Sequence, residues 1–202
     1  MNKEIFVNLA KLFNSHGYRL YMIGGTTRDY LLGREVLDYD FVTDATPSEM
    51  KEFLSDANYV FEKYGTVKVK INDIHVDITT LRKESEYNDS RHPSKIVFTK
   101  DLKEDYLRRD FTINAIYMDE SFSPIDYCGG ISDLNNKIIR FIGDPVKRIK
   151  EDPLRILRAE RFKEKLGFSY ETKTEEAIKE NYELIYKLNP DKVKEEIRKK
   201  EK

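Results

Sequence analysis

Residues 24–47 of this chain read GGTTRDYLLGREVLDYDFVTDATP. The residues just before them, Tyr18 to Ile23, predict a short strand that ends at the two glycines. Residues 26–32 predict a helix that Gly33 ends, and Asp38 to Thr43 predict a second strand. The sequence therefore predicts two strands of one sheet, with a glycine turn and a short helix between them.

Two carboxylates lie close together on the second of these strands. Asp38 and Asp40 are two residues apart, so the period-two geometry of a strand places both on one face. Carboxylates this close repel each other unless a cation lies between them, and Mg²⁺ takes oxygen ligands and bridges phosphates. Asp77, in a later predicted strand, is a candidate third acid. Three such acids suit two-metal phosphoryl transfer, although a solvated strand face would show the same spacing.

The two glycines fit a phosphate-binding turn. In a strand–glycine–helix layout, Gly24 and Gly25 would let the backbone approach an anion closely, and N–H groups at the helix start would face it. Arg28 could grip a triphosphate oxygen. The alternative is an ordinary turn in which Arg28 pairs with Asp29.

Alternating apolar residues predict further strands at 67–71 and 74–78. Asn72-Asp73 between them suits a two-residue hairpin turn. Thr46-Pro47-Ser48-Glu49 is a capping box that predicts a helix start. The polar segment 82–106 predicts a long surface loop, and such loops are often functional.

From about residue 144 the chain changes character. Residues 148–166 predict one helix, residues 174–186 predict another, and Pro190 opens a last, highly charged one. The sequence therefore predicts a mixed α/β part over residues 1–143 and an all-helical part over residues 144–202.

The composition restricts the partners and the compartment. The 202 residues carry a formal net charge of −1, so any RNA binding must rest on local basic patches. The single cysteine, Cys128, excludes an internal disulfide and suits a reducing cytosol. The sequence has no secretory signal, no membrane span and no zinc-site spacing. These features predict a cytoplasmic protein.

Residues 24–47 resemble the signature of class II tRNA nucleotidyltransferases and bacterial poly(A) polymerases, within the DNA polymerase β superfamily. Further matching blocks follow in the same order: VDITTLR (76–82), EYNDSRHPSKIVF (86–98), RRDFTINAIYMD (108–119), DYCGGISDL (126–134) and GDPVKRIKEDPLRILRAERFKEKLGF (143–168). The resemblance covers about residues 5–200. It implies an α+β, polymerase β-like head with a mixed or antiparallel sheet over residues 1–143, and an all-helical neck over residues 144–202.

The resemblance also implies roles for individual residues. Asp38 and Asp40 would hold two Mg²⁺ ions, and Asp77 would be the third catalytic acid. The nucleotide would be bound at its triphosphate, ribose and base by Gly24, Gly25, Arg28, Arg109, Asp110, Asn114, Asp152, Arg155, Arg158 and Arg161. Within this set, Asp152 and Arg155 would read the base, and Arg158 and Arg161 would support the base or the triphosphate.

A physical argument supports the base-reading pair. Asp152 and Arg155 are three apart on one predicted helix, so they would share a face. Arginine offers donors in a fork and an ionised aspartate offers acceptors, which suits the Watson–Crick edge of cytosine or adenine. Guanine and uracil would leave buried groups unpaired. The alternative is a salt bridge within an exposed helix.

Two further segments bear on the product and on the end of the neck. Tyr87, Asp89, Arg91 and His92 match the flexible loop of complete CCA-adding enzymes, which argues against an enzyme that adds only cytosines. The alternative is a plain polar loop. Near the end of the chain, the family's neck segment aligns with NPDKVKEEI (189–197), where Lys192 stands in place of an arginine.

The expected function is addition of CMP and AMP, as a CCA end, to the 3′ end of tRNA from CTP and ATP, with release of pyrophosphate. One alternative is a poly(A) polymerase or an A-only enzyme, and another is a non-catalytic RNA- or nucleotide-binding remnant. Relatives of this kind continue into body and tail domains that hold tRNA. The chain is therefore expected to be a fragment, an unusually small enzyme, or an enzyme that takes RNA-binding surface from a protein partner or an oligomer.

Overall fold

A computed structural model of the chain describes residues 1–87 and 93–199, with the side chains of residues 1–84 and 96–199. The chain packs into two compact units. The first unit consists of Met1–Lys83, Ile96–Arg108 and Asn114–Tyr127, and the second consists of Glu84–Lys95, Arg109–Ile113 and Cys128–Lys202. Residues 109–113 and 128–143 thus pack in the unit that holds the C-terminal helices. The boundary between head and neck at residues 143 and 144 stays a prediction.

Both strands and α-helices form along the described residues. The strands are β1 (Leu20–Met22), β2 (Tyr39–Thr43), β3 (Thr66–Ile71), β4 (Ile74–Thr80), β5 (Arg82–Tyr87), β6 (Pro93–Phe98), β7 (Tyr117–Met118), β8 (Pro124–Ile125), β9 (Ile138–Ile139) and β10 (Ser169–Tyr170). The helices are α1 (Lys3–Ser15), α2 (Gly24–Leu31), α3 (Pro47–Met50), α4 (Leu102–Asp105), α5 (Gly130–Asn135), α6 (Pro145–Glu151), α7 (Leu154–Leu166), α8 (Thr172–Asn181) and α9 (Pro190–Arg198).

The first unit is built on a mixed sheet. Within the described residues, six strands follow the order β3-β4-β2-β1-β7-β8. Strands β2 and β4 pair in parallel, while the other pairs are antiparallel. Met22 in β1 faces Phe41 on one side and Met118 on the other, so β1 is a central strand. The predicted α+β head with a mixed sheet is confirmed.

Helix α1 covers one face of this sheet with its apolar stripe. Phe6 and Phe13 are completely buried, and the Phe6 ring lies 5.1 Å from the Phe41 ring of β2, centroid to centroid. Asn2 caps the helix by accepting from the Glu4 N–H. Helix α1 thus buries one face of β2 in the core, and the opposite face of that strand lies outside this core.

Local sequence signals predict two features of the first unit correctly. The turn between β3 and β4 has Asn72 and Asp73 at φ values of 47° and 66°, the left-handed pair that a tight two-residue hairpin requires. The capping box is also present, since the Thr46 hydroxyl accepts from the Glu49 N–H while the Glu49 side chain accepts from the Thr46 N–H. Both predictions are confirmed.

The predicted surface loop over residues 82–106 is wrong. Strands β5 and β6 pair with each other there, and α4 follows. A polar composition does not exclude a hairpin, because its strands satisfy their backbone hydrogen bonds with each other whatever the side chains are. Asp89, Arg91 and His92, to which a loop function was assigned, lie outside the described residues.

The second unit is mostly helical. Helix α6 packs on α7 and α8, and α7 packs on α9. The predicted all-helical neck needs one correction, since β10 pairs in parallel with β9. None of the helices in residues 1–87 and 93–199 is both long and apolar enough to cross a lipid bilayer.

The single helix predicted over residues 148–166 is also wrong, because the chain breaks at Asp152 and Pro153. Asp152 is extended, at φ −151° and ψ 96°, and ends α6. A proline disfavours the helical conformation in the residue before it and has no N–H to give to a preceding turn. Helix α7 therefore starts afresh at Leu154.

Candidate active site

Two of the three predicted acids lie side by side in the sheet. Asp40 in β2 is the direct cross-strand partner of Asp77 in β4. Partners in register point to the same face, and this face lies opposite the one that carries the buried Phe41 and Ile78. Asp38 immediately precedes β2 and is exposed, whereas Asp40 and Asp77 are half-buried. The period-two argument thus places Asp38 on the same face as the other two acids.

Lys68 extends this row of charges by one strand. It is the antiparallel partner of Asp77, and its Nζ lies 2.8 Å and 3.0 Å from the two carboxylate oxygens of Asp77. Both side chains are about two-fifths exposed, so the pair contributes little to stability. The effect of this pair is local, because the Lys68 ammonium group offsets the negative charge of Asp77.

The donor chemistry of the acids fits a hard divalent cation. Carboxylate oxygens are the ligands that Mg²⁺ takes, and Asp38 and Asp40 present them on an open face. Among residues 1–87 and 93–199, however, no three His, Cys, Asp or Glu side chains gather around one point. The contact with Lys68 accounts for part of this, because it holds Asp77 on the β3 side of the row.

The glycine turn lies directly against the acids. The Ile23 N–H donates to the Asp40 carbonyl at 3.1 Å, and α2 begins at Gly24, two residues earlier than predicted. Gly24 has φ 65°, and a Cβ built on it would lie 3.6 Å from Asp40 Oδ2. A side chain at this position would thus sit in strained backbone beside the carboxylate. The glycine turn is therefore in direct contact with the strand that carries Asp40.

Arg28 is buried under this turn. Its Nε and Nη2 donate to the two oxygens of Asp29 at 2.9 Å and 2.8 Å, and its Nη1 donates to Asn114 Oδ1 at 2.8 Å. A Cβ on Gly25 would lie 3.5 Å from Arg28 Nη2. The pair with Asp29 that the sequence offered as an alternative is therefore present. The predicted nucleotide contacts of Gly24, Gly25, Arg28 and Asn114 stay predictions.

In the second unit, the start of the RRDFTINA block is tied to α7. Arg158 donates through Nε to Asp110 Oδ2 at 2.7 Å, and its Nη2 contacts the same oxygen. Burial opposes ionisation of Asp110, but the Arg158 guanidinium and the Phe111 N–H outweigh it and lower the pKa of this carboxyl to about 2. The Arg109 carbonyl accepts from Arg148 Nη2 at 2.7 Å. Asp110 is thus an ionised carboxylate that Arg158 holds in place.

The geometry predicted for the base-reading pair is wrong, since Asp152 and Arg155 do not share a face of one helix. Asp152 lies in the break, where its Oδ1 accepts from the Leu154 N–H at 3.1 Å. Arg155 is buried, and its Nη1 donates to the Arg148 carbonyl at 2.6 Å and to Glu151 Oε2 at 3.0 Å. The break does leave the two residues close in sequence at the start of α7. Their base-reading role stays a prediction.

Arg161 connects α7 to the last helix of the second unit. Its Nε donates to Glu196 Oε1 at 2.6 Å, and Glu196 is 2% exposed. Its guanidinium also lies over the Phe162 ring, 4.3 Å from the centroid. In this chain α7 is therefore braced by Glu196, a residue that the sequence analysis did not single out.

Two other contacts were missed although the sequence carried their signal. The predicted Asn72-Asp73 turn fixes the hairpin register, and that register places Lys68 opposite Asp77. Glu151 precedes Arg155 by four residues, which is a pairing distance along a helix. Glu196 had no such signal, because its partner is 35 residues away.

Comparisons with known proteins agree with this architecture. The family model of the poly A polymerase head domain matches residues 20–140. The chain is 45% identical over 181 residues to the CCA-adding enzyme of Lactobacillus helveticus, which covers 90% of this chain and 45% of that enzyme.

Solved structures give the same result for the fold. The crystal structure of the Bacillus stearothermophilus CCA-adding enzyme in complex with CTP has a TM-score of 0.89 at 34% identity, covering 99% of this chain and 49% of that one. A tRNA nucleotidyltransferase complexed with a primer tRNA and an incoming ATP analog has a TM-score of 0.78 at 36% identity, covering 94% of this chain and 55% of that one. The chain spans about half the length of these relatives. Since the family model matches more than half of its residues, the chain belongs to the poly A polymerase head domain family.

Proposed function

We propose that this chain adds CMP and AMP to the 3′ end of tRNA from CTP and ATP, as a CCA-adding nucleotidyltransferase. The observation that carries the proposal is the close packing of the Gly24 turn against Asp40. A phosphate-binding turn and a metal-binding acid must be neighbours if a triphosphate is to react there. The resemblance to CCA-adding enzymes over nearly the whole chain supports this product in particular.

In the proposed reaction, the oxygen of the RNA 3′-hydroxyl forms a bond to the α-phosphorus of the incoming nucleotide. The bond between that phosphorus and the oxygen of the β-phosphate breaks, and pyrophosphate leaves with the electron pair. Asp77 is the candidate acceptor of the hydroxyl proton, because the register of β2 and β4 places it directly beside Asp40. Positioning and electrostatics supply most of the rate enhancement.

The proposed cofactor is Mg²⁺, bound by the carboxylates of Asp38 and Asp40. When bound, it supplies positive charge next to the triphosphate and relieves the repulsion between the two acids. In the same scheme, Gly24, Gly25 and Arg28 contact the triphosphate, with Asn114 held against Arg28.

Nucleotide selection is assigned to the second unit. Asp152 offers acceptors and Arg155 offers donors for the Watson–Crick edge of cytosine or adenine. Arg109 and Asp110 contact the ribose and phosphates, while Arg158 and Arg161 support the base or the triphosphate. The bonds from Arg158 to Asp110 and from Arg161 to Glu196 support this assignment because they immobilise α7.

A cytosolic site of action fits these substrates, since tRNA maturation of this kind consumes nucleoside triphosphates. The surface that holds the body of the tRNA is assigned to a protein partner, an oligomer or further domains. A net charge of −1 gives the chain no general attraction for RNA.

The test is an extension assay with pure protein and tRNA that lacks its terminal CCA. Separate reactions contain CTP alone, ATP alone, or both, and the products are sequenced at their ends. We expect two cytosines with CTP alone and a complete CCA with both nucleotides. Long adenosine tails with ATP alone would instead identify a poly(A) polymerase, and no cytosine incorporation would exclude CCA addition.

Asp40→Asn tests the catalytic assignment, with Asp44→Asn as its matched control. Asp44 follows β2 and accepts from the Arg19 N–H, a bond that asparagine can retain. Removal of one acid of a metal site costs several orders of magnitude in rate, so we expect loss of extension in Asp40→Asn and normal extension in Asp44→Asn. Equal extension by both variants would favour a non-catalytic nucleotide- or RNA-binding protein.

A further inference from the structure

Thr26 lies in the first turn of α2, directly after the two glycines, and is completely buried. Its hydroxyl makes two hydrogen bonds to the segment that enters β2. The Thr26 Oγ1 donates to the Asp38 carbonyl at 2.9 Å and accepts from the Asp40 N–H at 2.7 Å. Both partners are the backbone groups of the two acids assigned to the metal. One side chain therefore holds both ends of the Asp38-Tyr39-Asp40 segment.

The position of Thr26 in the sheet explains this double bond. Pairing between β1 and β2 ends at Met22 and Phe41, because the chain leaves β1 to begin α2. The Ile23 N–H still donates to the Asp40 carbonyl, but beyond it the chain no longer runs alongside β2 as a strand. The Thr26 hydroxyl, which can donate and accept at once, bonds to the Asp40 N–H and the Asp38 carbonyl in place of a strand backbone. The two acids thus precede Phe41, the first residue of β2 that pairs with β1.

We infer that Thr26 is a positioning residue that sets the spacing of the Asp38 and Asp40 carboxylates for metal binding by fixing their backbone. This inference rests on the proposed function for the role of the two acids. The acids lie at the start of β2, where Asp38 is exposed and outside the strand. On the β1 side, the start of β2 is held by the Ile23 N–H and the Thr26 hydroxyl, while β4 pairs with Tyr39 and Asp40 on the other side. Asp38 precedes the residues that pair with β4, and Thr26 ties down its carbonyl.

The neighbouring residue provides a matched control. Thr27 is also completely buried in α2, but its hydroxyl has no hydrogen-bond partner within the described residues. Thr→Val removes a hydroxyl at nearly constant volume at both positions. Thr26→Val breaks two bonds to the acidic segment, whereas Thr27→Val removes a buried polar group that gains nothing from its burial.

The experiment measures metal binding directly, by titrating the full chain with Mn²⁺ alone and detecting free Mn²⁺ by electron paramagnetic resonance. Asp40→Asn identifies which bound Mn²⁺ belongs to the acids. We expect Thr26→Val to weaken this site about tenfold, as is typical when a group that orients a metal ligand is lost. Thr26→Ser should retain the affinity of the unmodified chain, and Thr27→Val should match it as well.

Extension kinetics provide a second readout. We expect Thr26→Val to lower kcat for CMP addition with little change in KM for CTP, because the acids act in the transition state rather than in binding the base. If Thr26→Val does not fold, as judged by circular dichroism, Thr26→Ala replaces it, since its smaller side chain fits the same buried space without a hydroxyl.

Four outcomes would overturn the role of Thr26. These are unchanged Mn²⁺ affinity in the folded variant, equal losses in Thr26→Val and Thr27→Val, no rescue by Thr26→Ser, and no Asp40-dependent Mn²⁺ in the unmodified chain. Mn²⁺ binding is measured without RNA or nucleotide. An unmodified chain that adds no nucleotide but whose Mn²⁺ site depends on Thr26 would therefore sink the proposed function alone.

Discussion

Asp110 is a buried carboxylate whose charge is stabilised mainly by one guanidinium. Burial raises the pKa of Asp110, but Arg158, together with the Phe111 N–H and the charge of Arg155, lowers it to about 2, against about 3.9 for an unfolded aspartate. A carboxyl with a depressed pKa stabilises the folded chain above its unfolded pKa, and this contribution disappears as the pH falls through the folded value. We expect Asp110→Asn to lower the free energy of unfolding by about 2 kcal/mol at pH 7.

At pH 3 the same substitution should cost roughly half as much, because part of the contribution is already lost there. Urea unfolding of both proteins at pH 7 and pH 3 checks this. Asp56→Asn is the control, since Asp56 is exposed, and we expect little change at either pH. A cost for Asp110→Asn that is the same at both pH values would show that the pair with Arg158 does not govern ionisation.

The acids themselves could be predicted from the sequence at this scale. Strand periodicity predicts Asp38 and Asp40 on a common face and makes Asp77 a candidate third acid, and the glycines mark the turn beside them. The partners of the arginines could not be predicted in the same way. Arg158 and Asp110 are 48 residues apart, so only the folded chain shows that they meet.

Among the elements, the β3–β4 hairpin has a turn that can be improved. Asp73 has φ 66°, which costs a non-glycine residue energy that glycine does not incur. We expect Asp73→Gly to raise the free energy of unfolding by about 0.5–1 kcal/mol, measured by urea unfolding. Lys70→Ala is the control for the Lys70–Asp73 ion pair that is also lost, and it should have little effect because both side chains are exposed. A less stable Asp73→Gly variant would contradict this account of the turn.

The break between α6 and α7 gives Asp152 two roles that substitutions can separate. Its Oδ1 accepts from the Leu154 N–H, and its charge is assigned to base selection. Asp152→Asn keeps an oxygen for the cap but adds an amide donor, so we expect near-normal stability with altered preference between CTP, ATP, GTP and UTP. Asp152→Ala should lose both, with a stability loss of about 1 kcal/mol.

Urea unfolding and single-nucleotide extension assays measure the two roles separately. Asp144→Asn is the control, because Asp144 caps α6 through the Lys147 N–H and has no assigned contact with the base. If Asp152→Asn kept full selection for C and A, the role of Asp152 would be limited to accepting the Leu154 N–H at the start of α7.

The strands β1 to β4 follow from local patterns, and two errors elsewhere have a common cause. The polar residues of segment 82–106 favour a loop, but the pairing of β5 with β6 is set by backbone hydrogen bonds, not composition. The apolar periodicity of residues 148–166 favours one helix, but Pro153 interrupts it. In both segments backbone chemistry outweighs the side-chain pattern.

For the molecule as a whole, the net charge predicts how RNA binding depends on salt. A formal net charge of −1 leaves any RNA contact to a few basic side chains. We expect the affinity of this chain for tRNA to fall with salt with a log–log slope of about −3 or shallower, as measured by filter binding from 50 to 200 mM salt. A slope of about −6 or steeper would require an extended basic surface.

The strand order of the sheet could not be predicted from the sequence. Local signals predict β1 to β4, and the turn predicts the β3–β4 pair. The strands β7 and β8, the parallel pairing of β2 with β4 and the place of β7 beside β1 were not predicted, and these pairings depend on contacts between distant residues. Such pairings are selected by the burial of the sheet as a whole.

Because β7 pairs with β1, this part of the sheet can form only late in synthesis. Met22 is made early, yet its partner Met118 emerges only after nearly a hundred further residues, about 5–20 s at usual translation speeds. Throughout that interval a strand of entirely apolar and aromatic residues, Leu20 to Met22, has one backbone edge without its final neighbour. An open apolar edge pairs readily with other chains, so the nascent chain is exposed to wrong association during those seconds.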